Sequence, residues 1–220
     1  VDVIFENSWQ LLDGLAVTIQ VTLGAAVVAL LMAFTAGLGR LSRFRTVRVL
    51  SVCYIEFFRG TSALVQLFWL FFVLPFFGVT LSPMIAGIGG LGLCVGAYGA
   101  EVVRAGILAV PKAQIESAAA LNLSSAQMIW HVVMPQAVRI MLPSFGNLFI
   151  ELLKISSLVS LITLQDLTFQ AASINAVTLR VVPIFTSVLV LYFILSMIIN
   201  GFMRLLERRF NVGIEPGIAR

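Results

Sequence analysis

Long apolar runs broken by short polar stretches organise this 220-residue chain. A run of about 20 apolar residues, coiled as a helix, crosses the ~30 Å hydrocarbon core of a bilayer. Such runs predict spans over 14–38, 51–77, 84–100, 142–162 and 182–206. The second is the least regular, because Glu56 and Arg59-Gly60-Thr61 interrupt it; its helix is expected to start near the membrane surface. Ala25, Ala29, Ala33 and Gly37 recur every fourth position in the first span, and Gly92, Gly96 and Ala100 do the same in the third. Small residues at that spacing let helices approach closely. The pattern predicts one all-α, polytopic membrane domain over 1–220, with a long non-spanning segment at 101–139.

That segment contains Glu116 to Pro135, a run with the marks of two short helices. Glu116-Ser-Ala-Ala-Ala-Leu121 is small and helix-prone. Asn122 tolerates the left-handed conformation that ends a helix. Ser124 with Gln127 three residues on makes a capping box, and Pro135 is expected to stop the second helix. The result is a rigid elbow.

Composition strengthens the membrane assignment. Hydrophobic residues are 60% of the chain and charged ones 11%, under half the ~25% of soluble domains. The net charge of +4 carries information through its distribution. Arg40, Arg43, Arg45 and Arg48 cluster after the first span, and Arg204, Arg208 and Arg209, beside Glu207, close the last. By the positive-inside rule both clusters and the elbow are cytoplasmic, with the amino terminus outside and the carboxyl terminus inside. No basic cluster is interleaved with exposed aromatics, so nucleic acid is not an expected partner. The amino terminus has Asp2 and Glu6 in place of a basic n-region, so no cleavable signal peptide is expected. The polar tail 211–220 is expected to be loosely ordered. Cys53 and Cys94 lack metal-ligand spacing and are expected as buried small hydrophobes without a disulfide.

Candidate chemistry lies at few positions. Asn147, Glu151 and Lys154 share one face of the fourth span, and ionisable residues at membrane depth point to function. That face is expected to line a solute path; the structural alternative is a self-neutralising Glu151–Lys154 pair. Glu56–Arg59 and Glu101–Arg104 are acid-then-base pairs at i, i+3, expected to anchor helix ends. His131 suits a surface contact. Asp166 is expected outside the membrane, solvated or touching a solute-delivering protein. There is no GxxxxGK[ST], so ATP hydrolysis would need another chain. An intramembrane hydrolase lacks its constellation: no HExxH, one histidine outside the spans and no paired intramembrane aspartates. An ion-coupled secondary transporter is the other alternative, although internal repeats typical of such folds are not evident.

Several motifs together resemble the permease subunits of ATP-binding-cassette importers. Glu116-Ser-Ala, Leu121-Asn-Leu-Ser124 and Val132-Val-Met-Pro-Gln-Ala137 look like their EAA loop. Tyr54-Ile-Glu-Phe-Phe-Arg-Gly-Thr61, Leu64-Val-Gln-Leu-Phe68, Glu101-Val-Val-Arg104, Val110-Pro-Lys112, Leu153-Lys154 and Ser157-Leu-Val-Ser-Leu161 are similar to the polar-amino-acid branch. The resemblance implies that the elbow forms coupling helices seated on an ABC ATPase subunit, which binds ATP and Mg while this chain binds no cofactor. Glu116, Ser117, Ala118, Asn122, Leu123 and Ser124 would make that joint, with Ser117 in place of an Ala and Asn122 in place of a Gly. Glu56, Arg59, Glu101 and Arg104 would brace it. A second permease subunit, identical or related, and an extracytoplasmic solute-binding protein are the other implied partners. Phe57 to Trp69 and Phe145 to Lys154 look closest to ectoine and hydroxyectoine permeases. Ile155, where many members carry an acid or Asn, makes a plain cationic amino acid a less natural cargo.

Overall fold

The computed structural model describes residues 7–210; the amino-terminal signal-peptide question and the 211–220 tail fall outside them. Secondary structure among the described residues is helical throughout. Four helices are long and apolar enough to cross a membrane, or five if a bent pair counts as one span. Helix α1 (Ser8–Arg40) leads to α2 (Arg45–Gly60) and α3 (Ala63–Phe68). The last continues through a π turn, Trp69–Val73, and a 3-10 turn, Leu74–Phe77. Helix α4 (Pro83–Leu108) returns, and α5 (Lys112–Ala120) and α6 (Ser125–Gln127) form the elbow. A π turn, Met128–Val133, runs into α7 (Met134–Ile155) and a 3-10 stretch, Ser156–Ile162. Helices α8 (Leu167–Thr178) and α9 (Val181–Phe210) complete the fold.

The two small-residue stripes meet. A side chain at Gly92 would put its Cβ 2.6 Å from Cβ of Val28, and one at Gly37 would lie 2.8 Å from the carbonyl oxygen of Ala100. The α1–α4 seam therefore depends on backbones approaching without side chains between them. Two apolar clusters flank it: Val21, Ala25, Leu67, Leu91, Leu152 and Val159 towards the start of α1, and Ala33, Val103, Ala137, Met141 and Phe145 towards its end.

The predicted second span is not one helix. Helices α2 and Ala63–Phe77 meet at 104°, because Thr61 and Ser62 adopt extended backbone angles. The break is affordable in an apolar setting because buried Gln66 re-pairs the freed groups. Its Nε2 donates to the carbonyl of Phe58 at 3.0 Å and to Thr61 Oγ1 at 2.6 Å. Backbone freed inside a membrane needs such partners.

Pro135 is not a stop either. The chain stays helical from Met128 to Ile162. Proline lacks an N–H and its ring crowds the carbonyl four residues back; the wider π turn just before it relieves that crowding. Gln136 Nε2 donates to the carbonyl of Val132 at 2.9 Å.

Cys94 is buried as expected, but Cys53 is exposed. It lies on an α2 whose buried residues are only Ser51 and Ile55.

Candidate coupling elbow and solute path

The elbow is held by its own backbone. Asn122 has φ of 55°, the left-handed turn expected there. The N–H of Leu123 donates to Ala118 at 3.2 Å and that of Asn122 to Ala119 at 2.9 Å, a Schellman motif that satisfies the last carbonyls of α5. The capping box also forms: Ser124 N–H donates to Gln127 Oε1 at 2.9 Å, and Gln127 N–H to Ser124 Oγ at 3.4 Å. Buried Ala118, Val110 and Val133 fix the elbow against the spans. Glu116, Ser117, Asn122, Ser124 and His131 are exposed, and Leu123 is half-buried. Glu116 forms no ion pair with another described residue. Reading the sequence missed Leu121 and Trp130 as contact candidates, which are 75% and 66% exposed on the elbow. A tryptophan outside every predicted span was the available signal, since exposed aromatics mark contact surfaces.

The bracing pairs divide. Glu101 pairs with Arg40 and, at 3.6 Å, with Arg104, so it ties the end of α1 to α4. Glu56 and Arg59 do not pair; the Arg59 guanidinium instead lies 5.5 Å from the ring centroid of Tyr98. The broken second span turns Arg59 towards α4 and leaves Glu56 exposed.

Asn147, Glu151 and Lys154 share one face of α7 and are all exposed, together with Ser144 one turn earlier. Glu151 and Lys154 do not pair with each other or with any other described residue. The self-neutralising alternative is therefore not what the geometry shows. A ladder of polar groups stands on the outside of one chain, inside a membrane span.

Asp166 overturns its expectation. It is fully buried, because α1 packs directly on the loop, with Gly14 so close that a Cβ there would lie 2.9 Å from the carbonyl oxygen of Asp166. The Oγ1 of Thr18 accepts the Leu167 N–H at 3.1 Å across 149 residues of sequence. Asp166 caps α8: its Oδ1 accepts the Phe169 N–H at 2.9 Å, while Oδ2 has no partner. Burial pushes its carboxyl up from 3.8 to about 6, outweighing the backbone donors that favour ionisation.

Residues 15–212 match the family described as the inner membrane component of binding-protein-dependent transport systems. The chain belongs to this family. It is 49% identical over 200 residues to the probable amino-acid ABC transporter permease protein y4tF of Sinorhizobium fredii, covering 88% of this chain and 84% of the relative. It is 33% identical over 212 residues to the L-cystine transport system permease protein TcyB of Bacillus subtilis, covering 96% and 91%. Among solved structures, an amino acid ABC transporter crystallised with histidines superposes with a TM-score of 0.87 at 34% identity, covering 94% of this chain and 96% of that one. As a member of this family the chain is a multi-pass inner-membrane transport subunit without catalytic activity of its own. Membership in an ABC system implies an ATPase partner and displaces the ion-coupled secondary transporter as an explanation.

Proposed function

We propose that two such permease subunits, identical or related, enclose a path for a polar, zwitterionic amino acid, with Asn147, Glu151 and Lys154 lining it. The carrying observation is the exposed polar ladder on α7. An ionised group at the centre of a bilayer costs roughly 2.5–3.5 kcal/mol, so two facing lipid would consume much of the ~5–15 kcal/mol that stabilises a folded domain. The ladder must face water or another protein. An acid and a base on one face suit a solute carrying both an ammonium and a carboxylate. The amino acids named for the relatives support that class. Ectoine, also a zwitterion, is the competitor.

The path is driven from the elbow. Separate ATPases bind ATP and Mg, and their closure moves Glu116 and Ser117 at the contact surface, with Leu121 and Trp130 beside them. Asn122, Leu123 and Ser124 transmit the movement rigidly, and buried Ala118 anchors it. The amino terminus lies outside, where an extracytoplasmic solute-binding protein delivers cargo, and the carboxyl terminus inside.

Two measurements test this. Calorimetry on the cognate solute-binding protein should show binding of a polar amino acid; binding of ectoine or hydroxyectoine alone would overturn the cargo. Glu116→Lys should leave the protein in the membrane while abolishing solute-stimulated ATP hydrolysis in proteoliposomes. Normal stimulation would remove Glu116 from the joint.

A further inference from the structure

An apolar groove of about 610 Å³ opens on the side of α7 away from the polar ladder. It runs between α1, α7 and α9 and is walled by Leu30, Phe34, Phe145, Phe149, Phe202 and Leu206. The rings of Phe34 and Phe149 each lie 6.1 Å from that of Phe145, so the wall is a stack of aromatics. Groove-lining Val138, Leu142, Phe145 and Phe149 lie on one side of α7, and Ser144, Asn147, Glu151 and Lys154 on the other, by the 3.6-residue helical period. If a second permease covers the ladder, as proposed above, the groove is left facing hydrocarbon.

Two arginines stand just beyond one end of the groove's lining. Helices α7 and α9 run antiparallel with Gly146 against Met203, so their groove-lining residues Val138 and Leu206 mark the same end. Arg139 follows Val138, and its Nε is buried without a hydrogen-bond partner. Arg209 lies three residues beyond Leu206 and seven beyond Phe202, on the same stripe of α9, and it is exposed. Neither arginine pairs with a carboxylate of the described residues. This is the side of the bundle that carries the elbow.

We infer that this groove holds one acyl chain of an anionic phospholipid of the elbow-side leaflet, with Arg139 and Arg209 taking its phosphate. Apolar walls without charge select a hydrocarbon chain, and two unpaired guanidiniums at its end select a negative headgroup. A juxtamembrane arginine contributes about 1 kcal/mol to anionic-lipid binding, or roughly fivefold in affinity.

The test is native mass spectrometry of the permease assembled with its ATPase in detergent. Phosphatidylglycerol and phosphatidylcholine with the same acyl chains are offered in turn. Phosphatidylglycerol should be retained about fivefold or more over phosphatidylcholine. Arg139→Gln should lower that preference by about fivefold, and Ala26→Trp, which fills the groove, should lower retention of both lipids. Equal retention of the two lipids, or a preference untouched by Arg139→Gln, overturns the inference. In a background without native cysteines, Leu23→Cys at the groove's lip should not cross-link two permease copies; a cross-link there would assign the groove to the second copy and overturn the lipid. Asn147→Cys should cross-link or react with an aqueous thiol probe. If it does neither while the lipid preference persists, the ladder's role fails and the groove's stands.

Discussion

Two acidic positions invert what their places in the chain suggest. Glu151 lies in a membrane span and is exposed, with Lys154 beside it and no ion pair to either. Asp166 lies in a connection between spans and is wholly buried. The hydrophobic environment of a residue is thus set by which helix covers it, not by whether its segment is oily. Asp166 is covered because α1 packs on the loop through Gly14 and Thr18. The α7 face is uncovered because no helix among the described residues lies over it. The buried acid belongs to the chain's own stability, whereas the exposed acid and base wait for something outside the chain.

The largest expected effect tests the exposed side of that contrast. Glu151→Gln and Lys154→Met should each reduce kcat/KM for uptake in proteoliposomes by roughly tenfold to a hundredfold. A hydrogen bond to a charged group contributes about 1.5–3 kcal/mol, and each 1.36 kcal/mol is a factor of about ten in rate. The melting temperature of the solubilised complex should stay at the wild-type value, since neither side chain has an ion-pair partner among the described residues of its own chain. Unchanged uptake in both variants would make the ladder a structural feature, and a lowered melting temperature with normal uptake would turn the contrast around.

Much of this was legible in the amino-acid sequence, and the misses share a cause. The stripes Ala25–Ala29–Ala33 and Gly92–Gly96 announced a close seam because spacing alone defines a helix face. Asn122, Ser124 and Gln127 announced the elbow because caps are local chemistry, and Asn147, Glu151 and Lys154 could be put on one face for the same reason. What escaped depends on backbone detours and on side chains reaching beyond their own turn. The second span breaks at Thr61 and Ser62 into a 104° bend, which Gln66 compensates by reaching back to Phe58 and Thr61. Pro135 fails to stop a helix because a π turn, Met128–Val133, precedes it and makes room for its ring. The burial of Asp166 rests on a hydrogen bond across 149 residues, which no local pattern encodes.

A smaller effect tests the buried side. Thr18→Val keeps the shape of the α1 side chain but removes the oxygen that accepts the Leu167 N–H. An orphaned buried donor costs about 1–3 kcal/mol, and a chain of this size loses about 2–4 °C of melting temperature per kcal/mol. The solubilised complex should therefore melt a few degrees lower, with uptake per folded transporter near the wild-type value. A variant that melts normally but fails to transport would move this corner from the stability of the chain to its transport cycle.

The smallest effect is a pH dependence belonging to Asp166 alone. Its carboxyl titrates at about 6 when folded against 3.8 without the protein around it. Between those values the folded chain holds a proton that the unfolded chain has lost. Stability from this group is therefore full below about pH 4, falls as pH rises towards 6 and is flat above that. From pH 6 down to pH 5 it should return about 1 kcal/mol. The Tyr192 hydroxyl, which meets Thr168 at 3.3 Å, is the titratable group facing this corner from α9, and no basic side chain pairs with the carboxylate among the described residues. Only hydrogen-bond donors, chiefly the Phe169 and Thr168 backbone, oppose the burial that drives the shift, and they are outweighed. Asp166→Asn keeps an oxygen to accept the Phe169 N–H and removes the titration. Melting curves of the two proteins between pH 7 and 4.5 should then differ in slope, with wild type gaining on the variant as pH falls. Parallel curves would mean that the carboxylate is solvated or paired in the assembled transporter, and the contrast between the loop's buried acid and the span's exposed one would collapse from the loop's side.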